Sequence, residues 1–318
     1  MTDKFQTREE RRKKLKESKK KKKKPKKGLF KKILFTLIGL FIVGLLIGIG
    51  TFAYYVSSTP ELDESLLKDP ISSKIYAMNG ELITEVGTEK RDYVTFDEIP
   101  QKVIDAVLAT EDSRFYEHKG VDVLRLGSAV IANFTDGFGS QGASTITQQL
   151  VKRSFLTDEK TLKRKAQELW LSLQIERKYS KEEIFEMYIN KIFYGAGANG
   201  IAKAAETYFG KTLDDLTLVE AATLAGLPQS PTNYNPFNYP ERAEERRNTV
   251  LSLMNKHGYI SESEMNEAKQ IPIEDYLLPE DKRGGEDMTA YDSFIDAVLD
   301  EVEEKTDYNP YADGLEIY

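Results

Sequence analysis

The stretch IPQKVIDAVLATEDSRFYEHKG, residues 99–120, decides what kind of fold the rest of the chain must join. Ile104, Val107 and Leu108 recur at the three- and four-residue steps that put side chains on one face of an α-helix. The same steps reach Glu111 and then Phe115, so the spacing predicts a helix over 101–117 with a carboxylate on its apolar stripe. Two readings of that acid are open. An acid near a helix end is ordinarily solvated or paired, here with Arg114. A carboxylate among apolar neighbours is instead easier to protonate, which suits a general base or acid near neutral pH.

Downstream the same helical spacing repeats over about 121–134, 145–155, 159–178, 181–190, 199–207, 217–226 and 240–256. Ser180 with Glu183 forms a capping box that opens one of these helices, and Pro228, Pro231, Pro236 and Pro240 punctuate a loop. Upstream, SKIYAMNGELITEV (73–86) sets Asn79-Gly80 between two alternating runs, a hairpin signal, and a further short strand is expected over 93–96. The expected body is mainly α with a short N-terminal β-hairpin.

Net charge is −7, but it is unevenly spread. Residues 1–32 hold 17 Lys/Arg against 4 acids, a net of +13, and the remainder holds 28 against 48, a net of −20. The segment ILFTLIGLFIVGLLIGIGTFAYYV, 33–56, has no charge and is long enough to span a hydrocarbon layer of roughly 30 Å. With a lysine run immediately before it, the positive-inside rule keeps residues 1–32 cytoplasmic and exports the acidic body. The basic tail is thereby explained without nucleic acid, and the expected location is a single-pass protein of the cell membrane with its body outside.

The chain has no cysteine, so thiolate chemistry and Cys-based zinc sites are excluded, and its two histidines, His118 and His257, argue against a His-rich metal centre or a His-based charge relay. Carboxylates, amides, hydroxyls and cations must carry any chemistry. GSQGASTITQQLVKRSF (139–155) leads through glycines into Ser144, Thr145, Thr147, Gln148 and Gln149, then Lys152 and Arg153. Thr145 and Gln148 fit a capping box, and the helix start with Lys152 near it equally fits a cradle for phosphate or sugar hydroxyls. In TLKRKAQELWLSLQIERKYS (161–180), Glu168 lies four residues from Arg164 and three from Lys165. Surface ion pairs are the ordinary account. However, Leu171 and Ile175 continue that face and Leu162, Ala166, Leu169 and Leu173 line another, which predicts a largely buried helix. An acid held there among cations could position a pyrophosphate, directly or through a divalent metal.

EDSRFYEHKG, GASTITQQ, RKAQE, KEEIFEMYIN and RRNTVLSLM follow one another in an order and spacing that resemble the five motifs of family 51 glycosyltransferases. These are the peptidoglycan glycosyltransferase domains of class A penicillin-binding proteins. Within that family the chain resembles the Gram-positive penicillin-binding protein 1A type, over roughly residues 60–275. The resemblance implies a lysozyme-like helical lobe and a smaller membrane-facing lobe, for which LRLGSAVIANFTDGFG (124–139) is the candidate. It implies polymerisation of lipid II into β-1,4-linked glycan, with inversion at C1 and polyprenyl pyrophosphate as leaving group. Glu111 would be the general base and Glu168 the acid that organises the donor's pyrophosphate. Ser144, Gln148, Gln149 and Lys152 would line the donor site, Arg164 and Lys165 would meet the pyrophosphate, and Asn190 and Arg246 would shape the cleft.

The implied partners are lipid II, the growing lipid-linked glycan, the membrane, other cell-wall synthesis proteins and an inhibitor of the moenomycin type. No cofactor is implied as obligatory. A divalent cation, Mg or Mn, is compatible with Glu168 acting through the pyrophosphate. Two other classes remain open at this level: a lysozyme-like glycan hydrolase, which needs no cationic cluster, and a non-catalytic membrane-anchored scaffold, which needs no acid on an apolar stripe. The expected organisation is a basic tail (1–32), an anchor (33–56), a stalk (57–72), the glycosyltransferase domain (73–275) and an acidic linker (276–318). That last segment ends in DGLEIY, which resembles the first strand of a transpeptidase module. No transpeptidase set is expected in these residues. The S-x-x-K at Ser65–Lys68 lies in the stalk, with no S-x-N or K-T-G to accompany it.

Overall fold

The structure is a computed structural model that describes residues 8–21, 27–67, 73–86, 92–135, 144–157, 159–283, 292–306, 308–310 and 314–318. The chain divides into two compact units, residues 1–58 and 59–318.

The first unit is two helices, α1 (Arg8–Lys21) and α2 (Lys27–Val56). The 30 residues of α2 span about 45 Å at the helical rise per residue. Ile33, Phe35, Leu40, Phe41 and Leu46 along it are all exposed, and Lys31–Val56 is the one helical stretch among the described residues long and apolar enough to cross a membrane.

The second unit is built around one large helical core. Its helices are α3 (Gln101–Glu111), α4 (Val123–Thr135), α5 (Ile146–Phe155), α6 (Leu162–Lys178), α7 (Lys181–Lys191), α8 (Ile201–Phe209), α9 (Leu218–Gly226), α10 (Pro240–Lys256) and α11 (Glu262–Lys269). α3 packs against both α9 and α10, while α5 packs against both α6 and α7. α8 shows why these segments fold as they do: Ile201, Ala204, Ala205, Tyr208 and Phe209 repeat at the helical period and all are buried. Ser180, Thr217 and Ser261 each cap their helix reciprocally with a glutamate three residues on, satisfying backbone N–H groups that the first turn leaves without partners. A short hairpin of β3 (Phe193–Gly195) and β4 (Ala198–Asn199) joins α7 to α8.

The expected hairpin is present. β1 (Ser73–Tyr76) pairs antiparallel with β2 (Leu82–Val86), and Gly80 closes the turn at φ +83°, a left-handed conformation that glycine adopts without strain. The expected strand at 93–96 is not a strand. Instead the Asn190 amide bonds both the N–H (3.0 Å) and the carbonyl (2.8 Å) of Val94, and Glu186 accepts from the Phe96 N–H. Those bonds use backbone groups that a sheet neighbour would have taken.

Two segments read as connectors are structured. Within the stalk, residues 64–67 form a 3-10 turn whose Leu67 is buried in the main core, and Glu64 pairs with Lys178 and accepts from the Tyr179 hydroxyl. In the acidic C-terminal segment, α12 (Asp292–Lys305) is followed by β5 (Glu316–Ile317), which lies parallel to β1 and completes a sheet of order β2-β1-β5. Ile75, Val86, Ile295 and Leu299 form a second, small core there. Ile295 and Leu299 are one helical turn apart, so α12 presents that single stripe to the sheet.

This separation of cores has a measurable consequence. Leu299→Ala should destabilise the small sheet by about 2–4 kcal/mol and leave the main core intact. Amide exchange at Lys74, whose N–H bonds Leu315, should accelerate, while that at Asp112, bonded to Leu108, should not. Equal acceleration at both amides would show a single cooperative unit instead.

Candidate active site

α3 ends at Glu111 because Asp112 turns out of the helix at φ −155°. The predicted continuation to 117 therefore fails: Phe115 reaches the core through a separate 3-10 turn. The turn is held by buried polar groups. Asp112, 1% exposed, accepts from His118 Nε2 (2.9 Å) and from the Ile146 N–H at the start of α5 (3.1 Å) with the same oxygen. Arg114 pairs with buried Asp122 (2.8 Å) rather than with Glu111. Arg125 of α4 donates to the Glu111 carbonyl.

Glu111 is half-buried at this helix end. Its Oε2 accepts from Gln149 Nε2 of α5 at 2.7 Å, and among the described residues its Oε1 accepts no hydrogen bond. Its charge is felt by three groups from three other elements. It raises the phenols of Tyr188 (α7) and Tyr194 (β3), which burial already holds far above the ordinary range. It also opposes the lowering that burial imposes on the Arg246 guanidinium of α10. Arg246 is fixed by its bond to the Gly226 carbonyl (3.1 Å) and lies over the Tyr234 ring.

The second acid is on α6. Glu168 is 2% exposed, with Leu171 and Ile175 buried on the same face. The other face is more open than expected: Ala166 is buried, but Leu169 and Leu173 are half-buried and Leu162 is exposed. One Glu168 oxygen takes Arg164 Nη1 (2.8 Å) and the other takes Lys165 Nζ, which also reaches Ser144 Oγ at 3.0 Å. Arg164, Lys165, Glu168 and Ser144 are thus one cluster. Both carboxylate oxygens face cations, and no convergent group of three or more His, Asp or Glu occurs among the described residues. The residues present do not form a cation cradle of their own.

α5 connects the two acids. Thr145 and Gln148 cap its start reciprocally, and Thr145 Oγ1 donates to the Gly120 carbonyl. Gln148 is therefore buried and its side-chain oxygen serves the cap. Gln149 reaches Glu111, and half-buried Lys152 follows three residues on. Asn190 stands apart from this cluster, with its amide committed to Val94 and the Glu186 carbonyl. The glycine-rich approach to α5, residues 136–143, lies outside the described residues, as does the end of the candidate second-lobe segment.

Asp112, Tyr188, Tyr194 and Arg125 were not singled out by sequence. The adjacent acids at 111 and 112 were the available signal for the first. Buried Arg247 was missed as well; it donates to the Ile271 carbonyl (2.6 Å) and bonds Tyr276.

The chemistry available is a half-buried carboxylate with one open oxygen and, beside Ser144 at the approach to α5, a cationic pair aligned by a buried acid. The first can accept a proton. The second can hold an anionic leaving group.

A family profile described as Transglycosylase matches residues 79–255. The chain is similar to penicillin-binding protein 1A/1B of Bacillus subtilis (strain 168), 56% identical over the whole of this chain and 35% of that protein. It is similar to penicillin-binding protein 1A of Streptococcus oralis, 43% identical over 87% of this chain and 44% of that one. The likeness to penicillin-binding protein 1A of Escherichia coli (strain K12) is 45% over 74% of this chain and 28% of that one. The chain thus spans less than half the length of each of these relatives. A solved structure of penicillin-binding protein 1A from Haemophilus influenzae aligns at 29% identity and TM-score 0.42 over 78% of this chain and 26% of that one, too low a score to argue the fold from.

The loop geometry makes a prediction of its own. Gly120 has φ +83°, and an added Cβ would lie 2.9 Å from the Ser172 carbonyl oxygen. Gly120→Ala should cost about 1–3 kcal/mol, read as a lowered unfolding midpoint. An unchanged midpoint would mean that the loop has room that the geometry denies it.

Proposed function

The chain belongs to the transglycosylase family, the family 51 glycosyltransferases, and from that premise we propose that it polymerises lipid II into β-1,4-linked peptidoglycan strands. The observation that carries the proposal is the pair of carboxylates linked to α5 and its approach, one bonded by Gln149 with an open oxygen and one aligning two cations beside Ser144.

The 4-hydroxyl oxygen of the acceptor sugar bonds to C1 of the donor while the bond from C1 to pyrophosphate oxygen breaks. The electron pair leaves with the polyprenyl pyrophosphate, and the proton passes to Glu111 Oε1. Attack opposite the leaving group inverts an α-linked donor to a β-1,4 product. Arg164 and Lys165, with Lys152 and the Ser144 hydroxyl, stabilise the charge that develops on the pyrophosphate. Glu168 keeps the two cations in place. A divalent ion, where present, would arrive on the pyrophosphate.

The setting is a membrane. α2 is the anchor, the lysine-rich residues before it stay cytoplasmic, and the body faces outward. Val123 and Leu124 on α4 are 71% and 69% exposed, which supports a membrane-facing lobe beside a lysozyme-like one. Anchorage keeps the site near lipid-borne substrates. An inhibitor of the moenomycin type, carrying a phosphate in place of the donor's pyrophosphate, would occupy the cluster of Ser144, Lys152, Arg164 and Glu168.

Glu111→Gln is nearly isosteric but cannot take the proton, so polymerisation of lipid II should fall at least ~10²-fold with the fold intact. Near-normal turnover by the folded variant would remove Glu111 as the base. Glu168→Gln and Arg164→Ala should each impair donor use, and the double variant should lose less than the two losses combined, because both act on one pyrophosphate. Strictly additive losses would place them in separate sites.

A further inference from the structure

Gln149 stands in the sequence pattern as a candidate to line the donor site, but its amide is turned toward the base. Nε2 donates to Glu111 Oε2 at 2.7 Å, and Oε1 faces the Tyr188 hydroxyl at 3.5 Å, longer than an ordinary O–H···O bond. We infer that Gln149 is a positioning residue: with the Tyr188 hydroxyl behind it, it fixes the Glu111 carboxylate so that Oε1 is the oxygen presented to the acceptor hydroxyl. The inference rests on the reading of Glu111 as general base.

Three features of the chain support it. Tyr188 is fully buried, and burial first, then the charge of Glu111, keeps its phenol protonated, so it retains an O–H directed at Gln149 Oε1. The carboxylate selects the amide orientation, because it only accepts and a flipped Gln149 would set its oxygen against Glu111. α5 packs on α7, and α3, α5 and α7 all contribute side chains to the same main core, so the residues that aim the base stand on helices rather than on a loop. An N–H donated to a carboxylate favours its charged, proton-accepting form. Among the described residues, the other charged or titratable groups around this carboxylate include Asp112, next in the chain and felt by the Tyr188 phenol, Tyr194 from β3, Arg246 from α10 and, at the backbone carbonyl, Arg125 from α4. Arg153 of α5 acts on the same two phenols. Among the described residues none of these cations donates a hydrogen bond to the Glu111 carboxylate: Arg125 bonds the backbone carbonyl and Arg246 the Gly226 carbonyl.

The test is the kcat and KM of lipid II polymerisation across pH, on the full chain, for Gln149→Met and Tyr188→Phe. Gln149→Met keeps the length of the side chain and removes the donor. Its kcat should fall about tenfold, the scale of one charge-assisted hydrogen bond. KM should stay within about twofold, and the acid limb of the kcat profile should move to higher pH. Tyr188→Phe should shift the same limb in the same direction by less, and serves if Gln149→Met does not fold. A raised KM with unchanged kcat and pH profile would make Gln149 a substrate ligand and overturn the inference, as would wild-type behaviour of both variants. Failure of the underlying reading is separable, since it would appear as turnover by Glu111→Gln whatever Gln149 does.

Discussion

One oxygen of Asp112 accepts both the His118 imidazole and the first free N–H of α5, and the placement of the candidate site depends on that oxygen. It closes α3 immediately after Glu111, and it sets where α5 begins. Because Asp112 is 1% exposed, losing either donor would leave a buried charge short of partners, at a cost of about 1–3 kcal/mol or more. The Thr145–Gly120 bond and the Arg114–Asp122 pair brace the same turn. α5 then places Gln149 against Glu111, with Ser144 just ahead of its start against Lys165. At 1.5 Å per residue the helix separates those two levels by less than about 10 Å.

The cluster on α6 is poorly explained as a device for stability. Burying Glu168 forfeits hydration that two cations only partly restore, and such arrangements are often no more stable than apolar ones of the same volume. Removing one cation is a different matter, because the acid is then left buried and undercompensated. The arrangement is better explained as preorganisation. Arg164 and Lys165 are held in one geometry before any substrate arrives, so little reorganisation is required when negative charge develops on a leaving group.

Much of this was legible in the sequence where the signal is local. The capping boxes at Thr145–Gln148 and Ser180–Glu183 follow from spacing alone, and so do the apolar stripe of α3 and the hairpin at Asn79-Gly80. The errors lie where distant residues decide. Residues 93–96 have strand-like composition, but Glu186 and Asn190, about ninety residues away, take their backbone groups. DGLEIY reads as a strand and β5 is there, but its pairing with β1 across some 240 residues is not legible, since no local pattern announces a parallel partner. Gln148 and Gln149 look alike in sequence. One became part of a cap and the other turned to the base, a difference set by where the end of α3 and the Tyr188 hydroxyl happen to lie.

The central claim is that two carboxylates linked through one short helix and its approach divide the work, Glu111 toward the acceptor and Glu168, through its cations, toward the donor. The most direct measurement is a crystal structure of the chain with a non-hydrolysable donor pyrophosphate and an acceptor sugar both bound. The account predicts phosphate oxygens within hydrogen-bond distance of Arg164, Lys165 and Ser144, and the acceptor 4-oxygen about 3 Å from Glu111 Oε1. An acceptor hydroxyl nearest Glu168, or a pyrophosphate seated beside Glu111, would contradict it.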